Sequence, residues 1–69
     1  MIVYNPLWKT MILKKITTYQ LINDYHFSKG QLDRLKQNSN VEMNTIDILC
    51  NILKCRIEDI AEYVDDKSV

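Results

Sequence analysis

Side chains that donate hydrogen bonds are concentrated in the stretch KGQLDRLKQ, residues 29–37. Leu32 and Leu35 are its apolar residues, and their spacing of three is that of one buried helix face. Ser28 directly before the stretch is a residue type that caps helices. The stretch therefore predicts a short helix whose outward face is hydrogen-bonding and mostly cationic, although the fold itself does not need such a face. The polar residues of this face are Lys29, Gln31, Asp33, Arg34 and Lys36.

Side chains suited to catalysis or metal binding are few. His26 is the only histidine, and no glycine-rich phosphate loop or Ser/His/Asp or Cys/His set at a usable spacing is present. Cys50 and Cys55, even with His26, fall short of the about four ligands of a structural zinc site. We expect no enzyme activity, no metal and no cofactor. Two buried, reduced thiols are expected, which suits a reducing cytoplasm.

The length and charge of the chain set further limits. Sixty-nine residues predict a single domain spanning 1–69, and neither a signal peptide nor an apolar run near the ~20 residues of a membrane span is visible. Residues 1–40 hold six bases and two acids, a balance of +4, whereas residues 41–69 hold three bases and seven acids, a balance of −4. This asymmetry either presents a positive face to a polyanion or reflects charges scattered over solvent-exposed faces.

The first helix is predicted to begin at Asn5-Pro6, because Asn caps free backbone N–H groups and Pro suits the first helical position. Leu13 lies off its apolar stripe, either as an ordinary exposed leucine or as part of a partner surface. Lys14 and Lys15 close the helix. The predicted inward stripe is Leu7, Trp8, Met11 and Ile12.

Two further helices have clear start signals. Thr17 and Gln20 form a predicted capping box at the start of the second helix. Ser28 caps the third helix, which runs to about Lys36, and the tight turn Tyr25–Ser28 separates the two. The residues predicted to face inward from this pair are Leu21, Ile22, Tyr25, Leu32 and Leu35.

The remaining apolar pattern predicts two more helices and thus an all-α, compact bundle of five short helices. Residues 1–4 and 65–69 are either flexible or a minor terminal strand pair, in which Met1–Tyr4 pairs with Tyr63-Val64. The fourth helix has the inward stripe Ile46, Leu49, Cys50 and Leu53, widened by Ile48 and Ile52. The fifth is marked by Ile57, Ile60, Ala61 and Val64.

Thr17–Asn38 resembles the Cro/CI-type (XRE) helix-turn-helix of bacterial and phage transcription regulators. The segments YNPLWKTMI, NVEMNTIDILCNILKC and IEDIAEYV resemble a short, single-domain branch of that family, so the likeness covers about Tyr4 to Val64. The resemblance implies a lambda-repressor-like DNA-binding domain with its helix-turn-helix at helices 2 and 3. The third helix would then lie in the major groove of DNA.

The resemblance also implies a function and a site. It implies a sequence-specific transcriptional regulator, a repressor, that binds a palindromic or pseudo-palindromic operator in double-stranded DNA. The protein would be a homodimer at least on DNA, through Leu13 or the region around Tyr63. Positions matching the base-reading residues of the family are Lys29, Gly30, Gln31 and Arg34. Positions matching its phosphate-binding residues are Thr18, Ser28, Lys36 and Gln37.

Three positions depart from the family pattern. Ile22 stands where the family usually has a small residue that lets the two helices of the motif cross closely, so their packing is expected to be somewhat splayed. His26 stands where the family usually has a glycine in the turn, a place that often needs positive φ. Gly30 stands where the family usually offers a side chain to DNA. It either permits a close backbone approach or leaves one contact missing.

A second hypothesis has the same fold but does not include DNA binding. The chain would then be a protein-interaction module, an antitoxin-like or adaptor component, with the acidic C-terminal half as its working surface. In either case we expect no membrane association and no small-molecule ligand, since no second domain is available to bind one.

Overall fold

The computed structural model describes residues 1–66, in which four α-helices pack around one core and a short sheet joins the two ends. The helices are α1 (Asn5–Lys14), α2 (Thr18–Asn23), α3 (Lys29–Lys36) and α4 (Met43–Leu53). A 3-10 turn at Ile57–Asp59 follows α4, and the strands are β1 (Ile2–Val3) and β2 (Glu62–Tyr63). Among the described residues, no helix combines the length and apolar character that crossing a membrane requires.

The core draws leucine and isoleucine side chains from every helix and from the residue after the 3-10 turn. Burial of each such side chain contributes about 1.5–3 kcal/mol relative to leaving it exposed. This core holds α3 by one face only, which leaves its other face to solvent. The side chains with less than 2% exposure are Leu7, Leu21, Leu32, Leu35, Leu49, Leu53 and Ile60.

The predicted helix starts of α2 and α3 are confirmed. Thr17 Oγ1 accepts a hydrogen bond from the Gln20 backbone N–H at 3.1 Å, and the Gln20 side chain accepts one from the Thr17 backbone N–H at 2.8 Å. Ser28 Oγ accepts from the Gln31 backbone N–H at 3.3 Å. Such caps are each worth roughly 1 kcal/mol, so local sequence alone fixes where the two helices begin.

The predicted start of α1 is wrong in its capping residue. Tyr4, not Asn5, is the N-cap, and it makes no side-chain cap hydrogen bond. Tyr4 is instead buried and tied to the loop after α3: its backbone N–H donates to Asn38 Oδ1 at 3.1 Å, and its hydroxyl donates to the Ser39 carbonyl at 2.9 Å. These long-range bonds fix the position of the residue that precedes α1, so the start of the helix depends on tertiary structure.

Three predicted core positions are also wrong. Ile12, Tyr25 and Ile48 are exposed by 77%, 46% and 41%. Thr10 takes an inward place in α1 because its hydroxyl donates to the Asp59 carbonyl, which turns Ile12 outward. Helix α2 ends at Asn23, before Tyr25 completes another turn, and Phe27 fills the core instead.

The fifth predicted helix is wrong, and a 3-10 turn followed by a strand takes its place. Thr10 Oγ1 donates to the Asp59 carbonyl at 2.7 Å, the carbonyl that a continuing helix would use for its own next turn. Strand β2 instead pairs with β1 in antiparallel fashion, Ile2 opposite Tyr63 and Val3 opposite Glu62. Within residues 1–66, the terminal strand pair, one of the two predicted alternatives, is therefore present. The Met1 amino group extends it through an ion pair with Asp66 at 2.6 Å. Residues 67–69 of the predicted tail lie outside the described residues.

The two cysteines are free thiols, as expected, but half-buried instead of buried. Burial raises the pKa of Cys55 to about 11, with the neighbouring Cys50 as the next cause. Burial likewise raises the pKa of Cys50 above its ordinary value. Because the thiolate is the reactive form, both side chains are poor nucleophiles near neutral pH.

Candidate nucleic-acid interface

The turn between α2 and α3 reverses the chain through one left-handed residue. The backbone N–H groups of Asp24 and Tyr25 both donate to the Gln20 carbonyl, which ends α2. His26 then has φ of 57°, which confirms the positive φ expected at this position. Phe27 returns into the core with 6% exposure, and its N–H donates to the Leu21 carbonyl at 2.8 Å. Backbone bonds and one aromatic side chain thus fix how α3 leaves α2.

Helix α3 has two chemically distinct faces. Leu32 and Leu35 are fully buried against the core. On the opposite side, all predicted base-reading positions are exposed except Gln31, which is half-buried. Gln31 and Arg34 are one turn apart and line one hollow of about 340 Å³, which the connector to α4 borders through Asn40. The structure therefore brings these two side chains together at the edge of α3 that faces the connector to α4, where Glu42 also lines the hollow.

The cations of α3 have no ionic partner among residues 1–66. The ion pairs described there join the Met1 amino group to Asp66 and Arg56 to Glu58, both far along the chain from α3. Lys29, Arg34 and Lys36 are exposed. They are available to an anion that comes from outside the chain.

The predicted phosphate-binding residues lie at helix ends. Thr18 is the half-buried first residue of α2, and Ser28 is the exposed N-cap of α3. Lys36 and Gln37 are exposed at the other end of α3, where the Gln37 N–H bonds to carbonyls of the last turn. Side chains at both ends of a helix are suitably placed to contact the backbones that flank a groove.

Gly30 has no conformational role in the fold. Its φ is not positive, and a Cβ at this position would meet Ser28 Oγ at 3.7 Å, an ordinary van der Waals contact. The interior of the protein therefore does not require glycine here. A steric need for glycine would therefore come from a bound molecule and not from the described part of the chain.

Two residues that lie beside predicted site residues were not predicted as part of the site. Lys15 ends α1 with φ of 59° and borders a hollow of about 490 Å³ together with Thr17 and Thr18. Thr45 in α4 donates from its hydroxyl to Gln31 Oε1 at 3.3 Å. Thr45 had no signal in the sequence, since its contact joins different helices and it lies off the apolar stripe of α4. Lys15 did have one, because it is a base close to Thr17 and Thr18 in the sequence, but it was assigned only to the end of α1.

Comparison with known proteins agrees with this geometry. The family model of the Cro/C1-type HTH DNA-binding domain matches residues 6–66. The crystal structure of the transcriptional regulator VanUg (Form II) is similar, with 29% sequence identity and a TM-score of 0.84, over 94% of this chain and 87% of that one. Comparison with curated proteins gave no match. The chain belongs to the Cro/C1-type helix-turn-helix DNA-binding domain family, which confirms the resemblance found in the sequence.

Proposed function

We propose that this Cro/C1-type protein is a sequence-specific transcriptional repressor that inserts α3 into the major groove of its operator. The observation that carries the proposal is the polar face of α3, which lies away from the buried Leu32 and Leu35. On this face Lys29 and Arg34 are exposed, and Gln31 is half-buried at the edge beside α4. The major groove admits an α-helix and presents hydrogen-bonding groups on every base pair. In this proposal Lys29, Gln31 and Arg34 read base edges, and Gly30 lets the helix backbone approach them.

Contacts to phosphates would hold α3 in its register. We assign them to Thr18, Ser28, Lys36 and Gln37, and we add Lys15, which lies beside Thr18. Two of these residues carry a positive charge, so their contacts release counterions from DNA and weaken as salt concentration rises. Phosphate contacts orient the protein without carrying sequence information.

A homodimer is the second part of the proposal, since one small module makes few contacts and two modules on half-sites make twice as many. The exposed side chains of Ile2, Met43, Ile57 and Tyr63, here called the strand-side surface, line one hollow of about 310 Å³. Asn40 and Val41 border both this hollow and the one beside Gln31 and Arg34. The strand-side surface therefore adjoins the outward face of α3, and we propose that a second copy seats there so that the pair binds the two half-sites of a palindromic operator.

The test is duplex binding by Arg34→Ala. A duplex is first selected from a random pool with the parent protein, and affinities are then measured by gel shift at several salt concentrations. We expect Arg34→Ala to lose roughly tenfold to hundredfold in affinity, because an Arg–guanine contact is worth about 1–3 kcal/mol.

The matched control is Lys54→Ala, which removes an exposed cation at the end of α4. We expect this variant to bind as the parent does. Equal losses in the two variants would indicate that general charge, and not the α3 face, drives binding. No salt-sensitive binding of the parent to any duplex would overturn the proposed function.

A further inference from the structure

We propose that Thr45 sets the base preference of α3 by fixing the orientation of the Gln31 side-chain amide. The inference rests on the proposed function, because it assumes that Gln31 faces base edges. It adds a residue that touches no DNA itself, on a different helix, and it names the class of base that Gln31 selects.

The geometry of the contact is specific. Thr45 is the third residue of α4, and only 7% of it is exposed. Its hydroxyl donates to Gln31 Oε1 at 3.3 Å, across 14 residues of sequence. The Gln31 backbone is held as well, since its N–H donates to the Ser28 cap. Gln31 is thus restrained both at its backbone and at the end of its side chain.

This contact leaves one end of the amide for a ligand. A glutamine side chain has a carbonyl oxygen that accepts and an NH2 group that donates two hydrogen bonds. The oxygen has a second lone pair, but its bond to the buried Thr45 hydroxyl turns it towards α4, so we take the NH2 group as the end that faces a ligand. Gln31 therefore presents donors, not a donor and an acceptor together.

A donor in the major groove can bind N7 of either purine, so the base is distinguished by the second group beside it. Guanine O6 and thymine O4 are acceptors, whereas adenine N6 and cytosine N4 are donors. A free glutamine pairs with adenine by accepting from N6 and donating to N7. With its oxygen turned to Thr45, Gln31 keeps only the bond to N7 of adenine and meets a second donor at N6. Guanine accepts at both N7 and O6, and thymine accepts at O4, so we expect Gln31 to favour guanine or thymine.

The experiment maps base preference by binding of a pool in which every operator position is varied. Gln31→Ala identifies the base pair that Gln31 reads, as the position where preference disappears. At that position we expect the parent to favour guanine or thymine over adenine and cytosine by about fivefold or more. We expect Thr45→Val, which replaces the hydroxyl by a methyl group, to gain about fivefold for adenine relative to guanine and thymine.

Thr45→Ser is the matched control, because it keeps the hydroxyl and should keep the preference of the parent. Thr45→Ala removes the hydroxyl without a buried methyl group in its place, and it decides the matter if thermal unfolding shows that the valine variant does not fold. A merely structural role of Thr45 would lower affinity for all sequences alike and leave the ranking of bases unchanged.

The outcomes separate this inference from the proposed function. Should Gln31→Ala remove preference at one position while Thr45→Val and Thr45→Ala retain the ranking of the parent, the role of Thr45 is overturned and DNA reading stands. A parental preference for adenine or cytosine at that position overturns it too. If Gln31→Ala alters no position, or the parent binds no duplex, the inference falls together with the assignment of Gln31 as a base reader.

Discussion

The outward face of α3 and the strand-side surface are two exposed regions that the core does not explain, and their chemistry is opposite. The first consists of hydrogen-bonding side chains with the cations Lys29, Arg34 and Lys36. The second consists of large apolar side chains, among them Met43 at 68% and Tyr63 at 69% exposure. Exposed cations without partners suit a polyanion, whereas an apolar patch is stabilised by removing it from water.

The two regions also differ in the kind of bond that holds them. Helix α3 has a side-chain cap at Ser28 and a second side-chain bond from Thr45 to Gln31. The strand pair beneath the strand-side surface is held by backbone bonds that continue to Met1 and Val64, and by the ion pair of the Met1 amino group with Asp66. Side-chain bonds thus fix single polar atoms on α3, whereas backbone pairing supports an apolar surface whose contact with a second copy depends on area and shape.

The largest effect is expected when the strand-side surface loses its apolar character. Ile57→Glu places a charge on a side chain that is 54% exposed, so the fold should persist. We expect the dimer to dissociate, with affinity for a two-half-site operator falling roughly tenfold or more, equivalent to at least about 1.4 kcal/mol. Sedimentation and gel shift on whole and half operators measure both effects.

Leu13→Glu is the matched control, since Leu13 is an equally large apolar side chain at 79% exposure on α1. It should leave both the dimer and operator affinity unchanged. The reverse pattern, dissociation by Leu13→Glu and none by Ile57→Glu, would move the dimer contact to α1. Loss of half-site binding by Ile57→Glu would contradict the separation of the two regions.

A smaller effect is expected at Gly30, on the outward face of α3. Gly30→Ala should raise the free energy of unfolding by up to about 1 kcal/mol, because alanine favours the helix and its Cβ has room at 3.7 Å from Ser28 Oγ. Since the fold does not require glycine, we expect affinity for the selected duplex to fall severalfold as the added methyl group meets DNA. Thermal unfolding and gel shift give the two numbers. Unchanged or improved binding would mean that glycine simply leaves one contact missing.

Local signals predicted the parts of the fold that depend on neighbouring residues. The Thr17–Gln20 capping box and the Ser28 cap each follow from a few adjacent positions, and the structure confirms both. The outward face of α3 was predictable for the same reason, because Leu32 and Leu35 decide which side of a short helix is buried. The positive φ of His26 is confirmed as well, but it was expected from the family resemblance, in which glycine usually stands at this position.

Contacts between distant residues decided the rest. The fifth helix failed because Thr10 binds the Asp59 carbonyl and β1 pairs with β2, both across most of the chain. Apolar periodicity predicted that Ile12 faces inward, because nothing in the sequence indicates that the Thr10 hydroxyl binds the Asp59 carbonyl. The Thr45–Gln31 bond is of the same kind, so the residue proposed to govern specificity is one that no sequence pattern reveals.

Whether α3 reads DNA is tested most directly by NMR. The backbone amides of the whole protein are followed while the selected duplex is added. If α3 reads DNA, the largest shifts fall on residues 28–37, with smaller ones at Lys15–Thr18. Amides of the 3-10 turn and β2 should move little, apart from changes that protein concentration alone also produces. Shifts confined to the acidic segment 57–66, with α3 unaffected, would contradict the account and favour a protein-interaction module.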